Sequence, residues 1–386
     1  MHKAHLFFPE NDLALASNLA NYTPPRMARA LHFSGETLPM WYGDEGDVFL
    51  CGGVNDRWFT SMCNAFNLQT DVYPHKPDGF RPCPWGWSLA SRREFVFAGF
   101  TLDQLPSDSD IWAIRMLSHR RLSVIISNAM ADALPDRLFT PAPIEVKDRT
   151  EALEAIQTFG GDAVIKSPWS NAGRGVAFTR GFSEESLAQR IDDTISAYAS
   201  LLIEPRLDKI LDFAMLFEAH EDGNVTYTGL SLFEADERGA YTRNIVADDN
   251  ILAQKISEYI PREDLSALSQ ALLPILSESL GGRYRGLLGI DMLVAENKDD
   301  AGRRYIIDPC VELNLRNTMG HVAHALAERV LAPGITASFT TVRNSNYNSP
   351  IIANPLEGLE ISENRLYKGV LTLNPLTSPF LFTLSV

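Results

Sequence analysis

The sequence has few cysteines and no long hydrophobic run. Its four cysteines are Cys51, Cys63, Cys83 and Cys310, and their spacing matches no metal-ligating Cys/His motif. So few cysteines in 386 residues exclude a disulfide scaffold and favour a reducing, cytoplasmic environment. The apolar run Leu6–Phe8 is too short for a signal-peptide core, and no stretch of about 18 uninterrupted apolar residues follows. We therefore expect a cytoplasmic protein with no membrane partner.

Positive charge is also scarce. The chain has 34 lysines and arginines against 49 aspartates and glutamates, a formal net charge of −15 at pH 7. Such a surface repels phosphate backbones and excludes nucleic acid as a general partner. A small anionic substrate stays compatible with it, because a few local cations outweigh a distant diffuse charge. The length predicts two or three domains with substantial cores.

Residues 1–107 have the pattern of a small α/β unit. Segments of helical spacing alternate there with short apolar runs, which are Ala4–Phe8, Asp47–Cys51 and Thr70–Tyr73. Prolines and glycines cluster in Lys76–Trp87, which predicts a rigid, turn-rich connection. From Ser107 onwards, one helix-like stretch is expected to extend towards the linker at Pro141.

The middle of the chain alternates strands and helices. Asp148 and Ser183 are expected to cap two helices, and Arg262–Leu280 is expected to be a third, kinked at Pro274. The expected strands are Ala163–Lys166, Leu201–Glu204, and the hairpins Phe213–Ala219 with Val225–Phe233 and Leu287–Ala295 with Arg303–Leu313. The last 50 or so residues are polar and then strand-like, ending in Phe380–Val386.

The first candidate site feature is Lys166, at the end of a short apolar strand. A loop of small residues follows it, with glycines at 173 and 175. Glycine lets main-chain N–H groups approach phosphate oxygens closely, and the lysine adds a point charge. The loop is not a Walker A motif, because no Gly-Lys-Ser/Thr follows. Taken alone, an ordinary glycine turn beside a surface lysine explains it equally well.

The second feature is a set of acids and amides on two expected strands. Asp291 lies within the apolar run Leu287–Val294, where an unpaired carboxylate is costly. Glu312, Asn314 and Arg316 alternate with leucines, so they share one face of a strand. Oxygen ligands of this kind suit Mg²⁺, whose shell substrate phosphates complete. A half-exposed strand with a polar face is the alternative for Glu312 and Asn314, but it explains Asp291 poorly.

The third feature is the end of the strand Leu201–Glu204. An acid there is followed by a proline-stiffened connector, and Asp212 comes eight residues after the acid. A connector of this kind presents main-chain groups to a flat base and leaves an acid for ribose hydroxyls. A solvated strand end is the simpler interpretation when this segment is taken alone.

Taken together and in this order, the three features resemble the ATP-grasp superfamily, which includes D-alanine–D-alanine ligase and the biotin carboxylases. The resemblance covers about residues 110–325, and its most specific part is the Glu-x-Asn-x-Arg element at 312–316. It implies an α/β (α+β) ATP-grasp fold with an N-terminal α/β domain over 1–107. Two α+β subdomains, 108–200 and 201–335, would clasp ATP, and 336–386 would be a C-terminal extension.

Carried over position by position, the resemblance implies three groups of residues. The first group would bind ATP. Lys166 and Arg120 would contact its phosphates, and a lid over 170–175, with Ser170, Gly173 and Gly175, would cover them. Glu204, Pro205, Arg206 and Leu207 would hold the adenine, and Asp212 would contact the ribose. The second group would bind magnesium and consists of Asp291, Glu312 and Asn314. The expected catalytic residues are Arg316, which would neutralise the reacting phosphoryl or acyl oxygens, and Lys166 and Arg243, which would contact phosphate.

One position departs from the family pattern. The family usually has a lysine on the helix before the linker, where this chain has Arg120 and Arg121. An arginine fork binds phosphate with a different geometry from a lysine. The sequence does not decide which of the two arginines faces the nucleotide.

Asn11 and Asp12 are candidate substrate contacts. They follow the first expected strand, where an open α/β sheet tends to place ligands. An ordinary helix cap is the alternative interpretation.

The resemblance implies an ATP- and Mg²⁺-dependent ligase that joins a carboxylate to an amine through an acyl phosphate. Positioning and charge neutralisation suffice for this reaction, and no nucleophile–base group is recognisable in the sequence. The alternatives are an ATP-grasp phosphotransferase acting on a small-molecule hydroxyl and a non-catalytic nucleotide-binding switch. Expected partners are small-molecule carboxylates and amines, without nucleic acid or membrane, and a homodimer is compatible with these features.

Overall fold

The chain folds into three main sheets with helices packed against them. The computed structural model describes residues 1–169, 175–236, 239–298, 304–347 and 354–386. The strands are β1 Lys3–Leu6, β2 Val48–Leu50, β3 Asp71–Tyr73, β4 Arg81–Pro84, β5 Ile144–Val146, β6 Ala163–Lys166, β7 Val176–Phe178, β8 Leu201–Pro205, β9 Lys209–Ala219, β10 Val225–Ala235, β11 Tyr241–Val246, β12 Gly286–Glu296, β13 Tyr305–Asn314, β14 Ala337–Arg343, β15 Glu360–Ser362, β16 Arg365–Lys368, β17 Val370–Thr372 and β18 Phe380–Ser385.

The helices lie between these strands and cover the sheets. They are α1 Asn11–Ser17, α2 Arg26–Gly35, α3 Pro39–Tyr42, α4 Asp56–Phe66, α5 Leu89–Phe97, α6 Asp108–Leu117, α7 Arg121–Ala133, α8 Arg149–Thr158, α9 Glu184–Tyr198, α10 Asp249–Ile256, α11 Arg262–Leu280 and α12 Met319–Arg329. A 3₁₀ turn lies at Leu102–Gln104. No helix in the described ranges combines the length and the apolar character that a membrane crossing needs.

The N-terminal unit is a parallel sheet in the order β3-β2-β1-β4, and its three expected strands are confirmed. The turn-rich connection expected over Lys76–Trp87 is wrong in part, because β4 lies within it. An edge strand needs its N–H groups on one side only. Arg81 and Trp85 donate to carbonyls of the β1 chain at 2.9 and 2.7 Å. Pro82 and Pro84 alternate with these donors, so their missing N–H groups cost no hydrogen bond to β1.

The largest sheet is antiparallel, in the order β13-β12-β9-β10-β11-β14-β18-β17. Both expected hairpins are present, with ends that differ by a few residues, and the turn between β9 and β10 contains Gly223 at φ +84°. α11 has the expected bounds, and its leucines at 265, 268, 272 and 276 are buried against one face of this sheet together with α7 and α10. The apolar periodicity of the sequence therefore decides this layer.

The third sheet, β5-β8-β6-β7, is small and has α8 and α9 on one face. The two predicted helix caps are confirmed: the side chain of Asp148 accepts from the N–H of Glu151, and that of Ser183 accepts from the N–H of Ser186. Lys166 ends the inner strand β6, as the sequence predicts.

The single helical stretch expected after Ser107 is wrong, because the structure has two helices there. α6 ends at Leu117 and α7 begins at Arg121. Between them, the N–H of Arg120 donates to the carbonyl of Pro168 at 3.0 Å rather than to its own helix. This break anchors the helix pair to the chain after β6.

The C-terminal strands do not form a separate layer. β14, β18 and β17 extend the largest sheet, while β15 and β16 form a small hairpin. Phe339 and Phe382 lie in the same buried core as Phe7 of the N-terminal unit, and Trp41 Nε1 donates to the carbonyl of Leu373 at 2.8 Å. The division of the chain at 107, 200 and 335 stays a prediction.

Candidate active site

The structure brings Asp291, Glu312, Asn314 and Arg316 together. β12 and β13 pair so that Asp291 lies directly opposite Glu312. Asn314 Nδ2 donates to Asp291 Oδ2 at 3.1 Å, and Arg316 Nη2 donates to Asn314 Oδ1 at 2.8 Å. The alternation of polar residues with leucines therefore predicted a real cluster.

The two carboxylates repel each other. Burial, and next the charge of Glu312, raise the pKa of Asp291 to about 7, while Arg316 and the amide of Asn314 offset this only in part. Burial alone would lower the pKa of Arg316, but Asp12, Glu312 and Asp291 outweigh it and raise that pKa. Opposed carboxylates in a half-buried place favour the binding of a cation.

Arg120 faces this cluster and Arg121 does not. Arg120 is buried, and its Nη2 donates to Glu312 Oε1 at 2.8 Å. Arg121 forms two bonds of 2.6 Å with Glu145 and is more exposed. The helix break before α7 is what turns the first arginine inwards.

The N-terminal unit supplies Asp12 and Asn11. Arg316 Nε and Nη2 contact Asp12 Oδ2 at 2.8 and 2.7 Å. Asn11 is completely buried, and neither atom of its side-chain amide has a hydrogen-bond partner within the described residues. A Cβ at Gly86 would lie 2.5 Å from Asn11 Nδ2 and 2.8 Å from Arg316 Cβ, so only glycine fits there. Gly86 therefore packs closely against both the amide of Asn11 and Arg316.

Lys166 and Glu204 form a second, buried group. They make an ion pair across the neighbouring strands β6 and β8, and Glu204 Oε1 has no hydrogen-bond partner in the part of the chain that the structure describes. Asp308 lies close to them: burial and then the charge of Glu204 raise its pKa to about 6. Sequence reasoning missed Asp308, although an acid inside the apolar run Tyr305–Cys310 is the same signal that revealed Asp291.

The other expected nucleotide contacts are spread around this group. Arg206 lies over the ring of Phe178 at 5.4 Å, next to the strand end Pro205 and the partly buried Leu207. Lys209 Nζ donates to Asp212 at 2.6 Å. The carbonyl of Gly175 accepts from the N–H of Ser167 at 2.9 Å. Ser170 and Gly173, and with them most of the expected lid, lie outside the described residues.

The comparisons with known proteins identify the fold. No protein-family model matches the sequence, and neither does any curated protein. The structure is similar to biotin carboxylase from Campylobacter jejuni, with a TM-score of 0.52 and 12% identity over 100% of this chain and 87% of that one. The chain has the ATP-grasp fold.

Two further solved structures are more distant from this ATP-grasp chain. One is N5-carboxyaminoimidazole ribonucleotide synthetase from Thermus thermophilus, with a TM-score of 0.46 and 13% identity over 99% of this chain and 93% of that one. The other is the biotin carboxylase domain of 2-oxoglutarate carboxylase from Hydrogenobacter thermophilus, with a TM-score of 0.47 and 13% identity over 100% and 80%.

The structure does not bring Arg243 to the cluster of Asp291, Glu312, Asn314 and Arg316. Arg243 lies opposite Glu234 and forms an exposed ion pair with it. Ala214 lies opposite both Asp291 and Ser231, and opposed residues of an antiparallel sheet share a face. Ser231 therefore lies on the same face as Asp291. Glu234 is three positions after Ser231 on β10, and side chains alternate along a strand, so Glu234 lies on the opposite face. Arg243, which lies opposite Glu234, projects from that opposite face as well. The phosphate contact expected of it is therefore not supported by this geometry.

The cleft next to the cluster is almost closed. A cavity of about 10 Å³ lies among Asp12, Glu312 and Trp169. Trp169 is held in place by its Nε1, which donates to the carbonyl of Arg115 at 3.0 Å, and by the Arg115 guanidinium 3.9 Å from its ring.

Proposed function

We propose that this protein is an ATP-dependent ligase that converts a small-molecule carboxylate into an acyl phosphate and joins it to an amine, releasing ADP and phosphate. The observation that carries the proposal is the connected set Asp291–Asn314–Arg316–Asp12, with Glu312 opposite Asp291. It combines oxygen ligands with a fixed arginine at one place in an ATP-grasp fold. These are the groups that phosphoryl transfer needs, since the protein contributes positioning and charge neutralisation.

Two buried groups support ATP as the phosphoryl donor. The Lys166 ammonium is available for phosphate oxygens once its pair with Glu204 opens, and a charge-assisted contact of this type is among the stronger hydrogen bonds. Glu204 Oε1, which has no partner among the described residues, is an acceptor for the exocyclic amine of adenine. The similar biotin carboxylase was solved as a βγ-ATP complex.

The donor set of the cluster fits Mg²⁺. Among the described residues, no group of three or more His, Cys, Asp or Glu side chains could hold a metal ion by itself. Asp291 and Glu312 supply carboxylates and Asn314 an amide oxygen, which suits an ion that keeps waters and phosphate oxygens in its shell. When bound, the ion would neutralise charge on the phosphate oxygens. Burial and the charge of Glu312 raise the pKa of Asp291, and a bound cation would stabilise both carboxylates.

The acid to be activated would bind between the N-terminal unit and the end of β13. Arg316 is the cation there, and Asp12 holds it through two contacts. The buried amide of Asn11 offers a donor and an acceptor that no described residue uses. A carboxylate bound here would have its oxygens between a guanidinium and an amide N–H, next to the groups proposed for the γ-phosphate.

The proposal is tested with libraries of small carboxylic acids and amines in the presence of MgATP. Phosphate release, nucleotide chromatography and hydroxylamine trapping are measured on the same substrate. We expect ADP and phosphate, and a hydroxamate when the amine is replaced by hydroxylamine. AMP among the products, or a phosphorylated product that resists hydroxylamine, would contradict the acyl-phosphate reaction.

A further inference from the structure

A second, larger cavity lies between the N-terminal sheet and the rest of the molecule. Its volume is about 680 Å³. β1 and β4 line one side of it, and the start of β12, the turn after β9 and helix α12 line the other. This volume is in the range of small-molecule sites, which are usually concave and lie between domains.

Cys83, His5 and Asp47 form a connected group at this cavity. His5 and Cys83 lie opposite each other on the neighbouring parallel strands β1 and β4, and both line the cavity. His5 Nε2 contacts Asp47 Oδ2 at 2.9 Å. Asp47 is itself held by the N–H groups of Lys3 and Asp44, at 2.7 and 3.1 Å. The group has the order thiol, imidazole, carboxylate, in which a base activates the thiol and an acid orients the base.

The charges in this group shift the pKa values of Cys83 and His5 in the directions that assist proton transfer from the thiol to the imidazole. Burial alone would raise the pKa of the Cys83 thiol, but the charge and hydrogen bond of His5, with Lys3, outweigh it and lower that pKa. Burial alone would lower the pKa of His5, but Cys83 and Asp47 outweigh it and raise that pKa to about 9. Other charged or titratable groups that line the cavity include Asp44, Tyr42, Arg81, Glu218, Tyr284 and Arg329.

We propose that Cys83 is a nucleophile that His5 and Asp47 activate, and that it takes the acyl group of an activated small carboxylic acid as a thioester. The spacing of residues 5, 47 and 83 along the chain hides this group in the sequence, since only the parallel sheet and the turn before β2 bring them together. Cys51 and Cys310 are buried, Cys51 donates to Glu36 Oε2 at 3.2 Å rather than to an imidazole, and burial raises the pKa of each thiol.

The cavity that Cys83 lines extends to residues next to the proposed ligase site. Its wall includes Gly86 and Asn317, and Gly86 contacts Arg316, the cation proposed to hold the acid. The inference rests on the proposed function, which supplies an acyl phosphate at that place. An electron pair on Sγ of Cys83 would attack the carbonyl carbon of the acyl phosphate and form a C–S bond. The C–O bond between that carbon and the phosphate would break, and phosphate would leave with the electrons of that bond. Attack by an amine would then release Cys83 as a thiolate, and the amine proton would pass to solvent.

The first test measures thiolate reactivity without ATP. The protein is treated with iodoacetamide at pH 7, and the labelling rate of each cysteine is followed by peptide mass spectrometry. Cys63, which is partly buried like Cys83 and whose pKa burial raises to about 11, is the internal control. We expect Cys83 to react at least about 10-fold faster than Cys63, because thiolate fraction controls the rate. His5→Gln should lower the Cys83 rate about 10-fold, and Asp47→Asn should lower it less.

The second test measures acyl transfer. The protein is incubated with acetyl phosphate, and the expected product is an adduct on Cys83 that hydroxylamine removes and that Cys83→Ser lacks. The proposal would be overturned if Cys83 reacted with iodoacetamide no faster than Cys63, or if neither His5→Gln nor Asp47→Asn lowered the Cys83 rate. Absence of the thioester after incubation with acetyl phosphate would overturn it as well. Thermal unfolding shows whether each variant is folded. If the proposed ligase function is wrong, no acid will stimulate phosphate release from MgATP. The iodoacetamide experiment uses no ATP, so it tests the reactivity of Cys83 independently of that outcome.

Discussion

Replacement of Glu312 by glutamine tests the metal assignment most directly. The amide would keep the size of the side chain and an acceptor for Arg120, whose Nη2 lies 2.8 Å from Glu312 Oε1. It would remove one of the two carboxylates that face each other across β12 and β13. A bond to a charged group is worth about 1.5–3 kcal/mol, which corresponds to a roughly 10- to 150-fold weaker metal affinity.

The affinity is measured by calorimetric titration of the folded protein with MnCl₂ and, separately, with MgCl₂ in the presence of an ATP analogue. Glu278→Gln is the matched control, because Glu278 is an exposed acid on α11, which packs on the other face of the sheet. We expect the control to bind like the parent and the Glu312 variant to bind in the weaker range. Equal affinities for all three proteins would refute the assignment of Glu312 as a ligand.

Three further changes have definite expected outcomes. Lys166→Ala should weaken ATP-analogue binding roughly 10- to 150-fold by calorimetry, because it removes a charge-assisted phosphate contact, and unchanged affinity would contradict its role. Asp12→Ala should lower the free energy of unfolding by about 2 kcal/mol in denaturant titrations, since it removes the carboxylate that contacts the half-buried Arg316, and an unchanged midpoint would contradict this. Burial, and next the charge of Arg121, lower the pKa of His119 to about 4, so the unfolded chain takes up this proton first as the pH falls below 6.5. Between pH 7.5 and 5, the free energy of unfolding of the parent protein should therefore fall by about 2 kcal/mol more than that of His119→Gln. Parallel pH profiles of the two proteins would refute this role of His119.

The helices and strands followed from the sequence wherever a local signal was strong. The leucine repeat of α11 and the cap residues Asp148 and Ser183 act within a few residues, so their effect does not depend on distant parts of the chain. β4 was missed because Pro82 and Pro84 are compatible with a strand only at a sheet edge. Whether a strand lies at an edge is a property of the whole sheet.

In the candidate site too, the sequence predicted the residues that a local pattern brings together and misplaced one whose position depends on strand pairing. The alternation around Glu312, Asn314 and Arg316 placed these side chains on one strand face, and the structure brings Asp291 to them because β12 and β13 are neighbours in sequence and pair as a hairpin. Arg243 was expected at the site from its place in the chain. The register of β10 and β11 instead turns its side chain to the other face of the sheet.

The sequence by itself determined the local elements and the acid-and-amide strand face, because each depends on residues close together in the chain. The resemblance to ATP-grasp proteins followed from the order of three such local features along the sequence. Only the tertiary structure decided which arginine faces Glu312, since the answer depends on a helix break held by Pro168. It also decided that Asp12 holds Arg316, and that residues 5, 47 and 83 meet at one cavity. Contacts between such distant positions form when sheets and helices pack, and short sequence patterns carry no information about that packing.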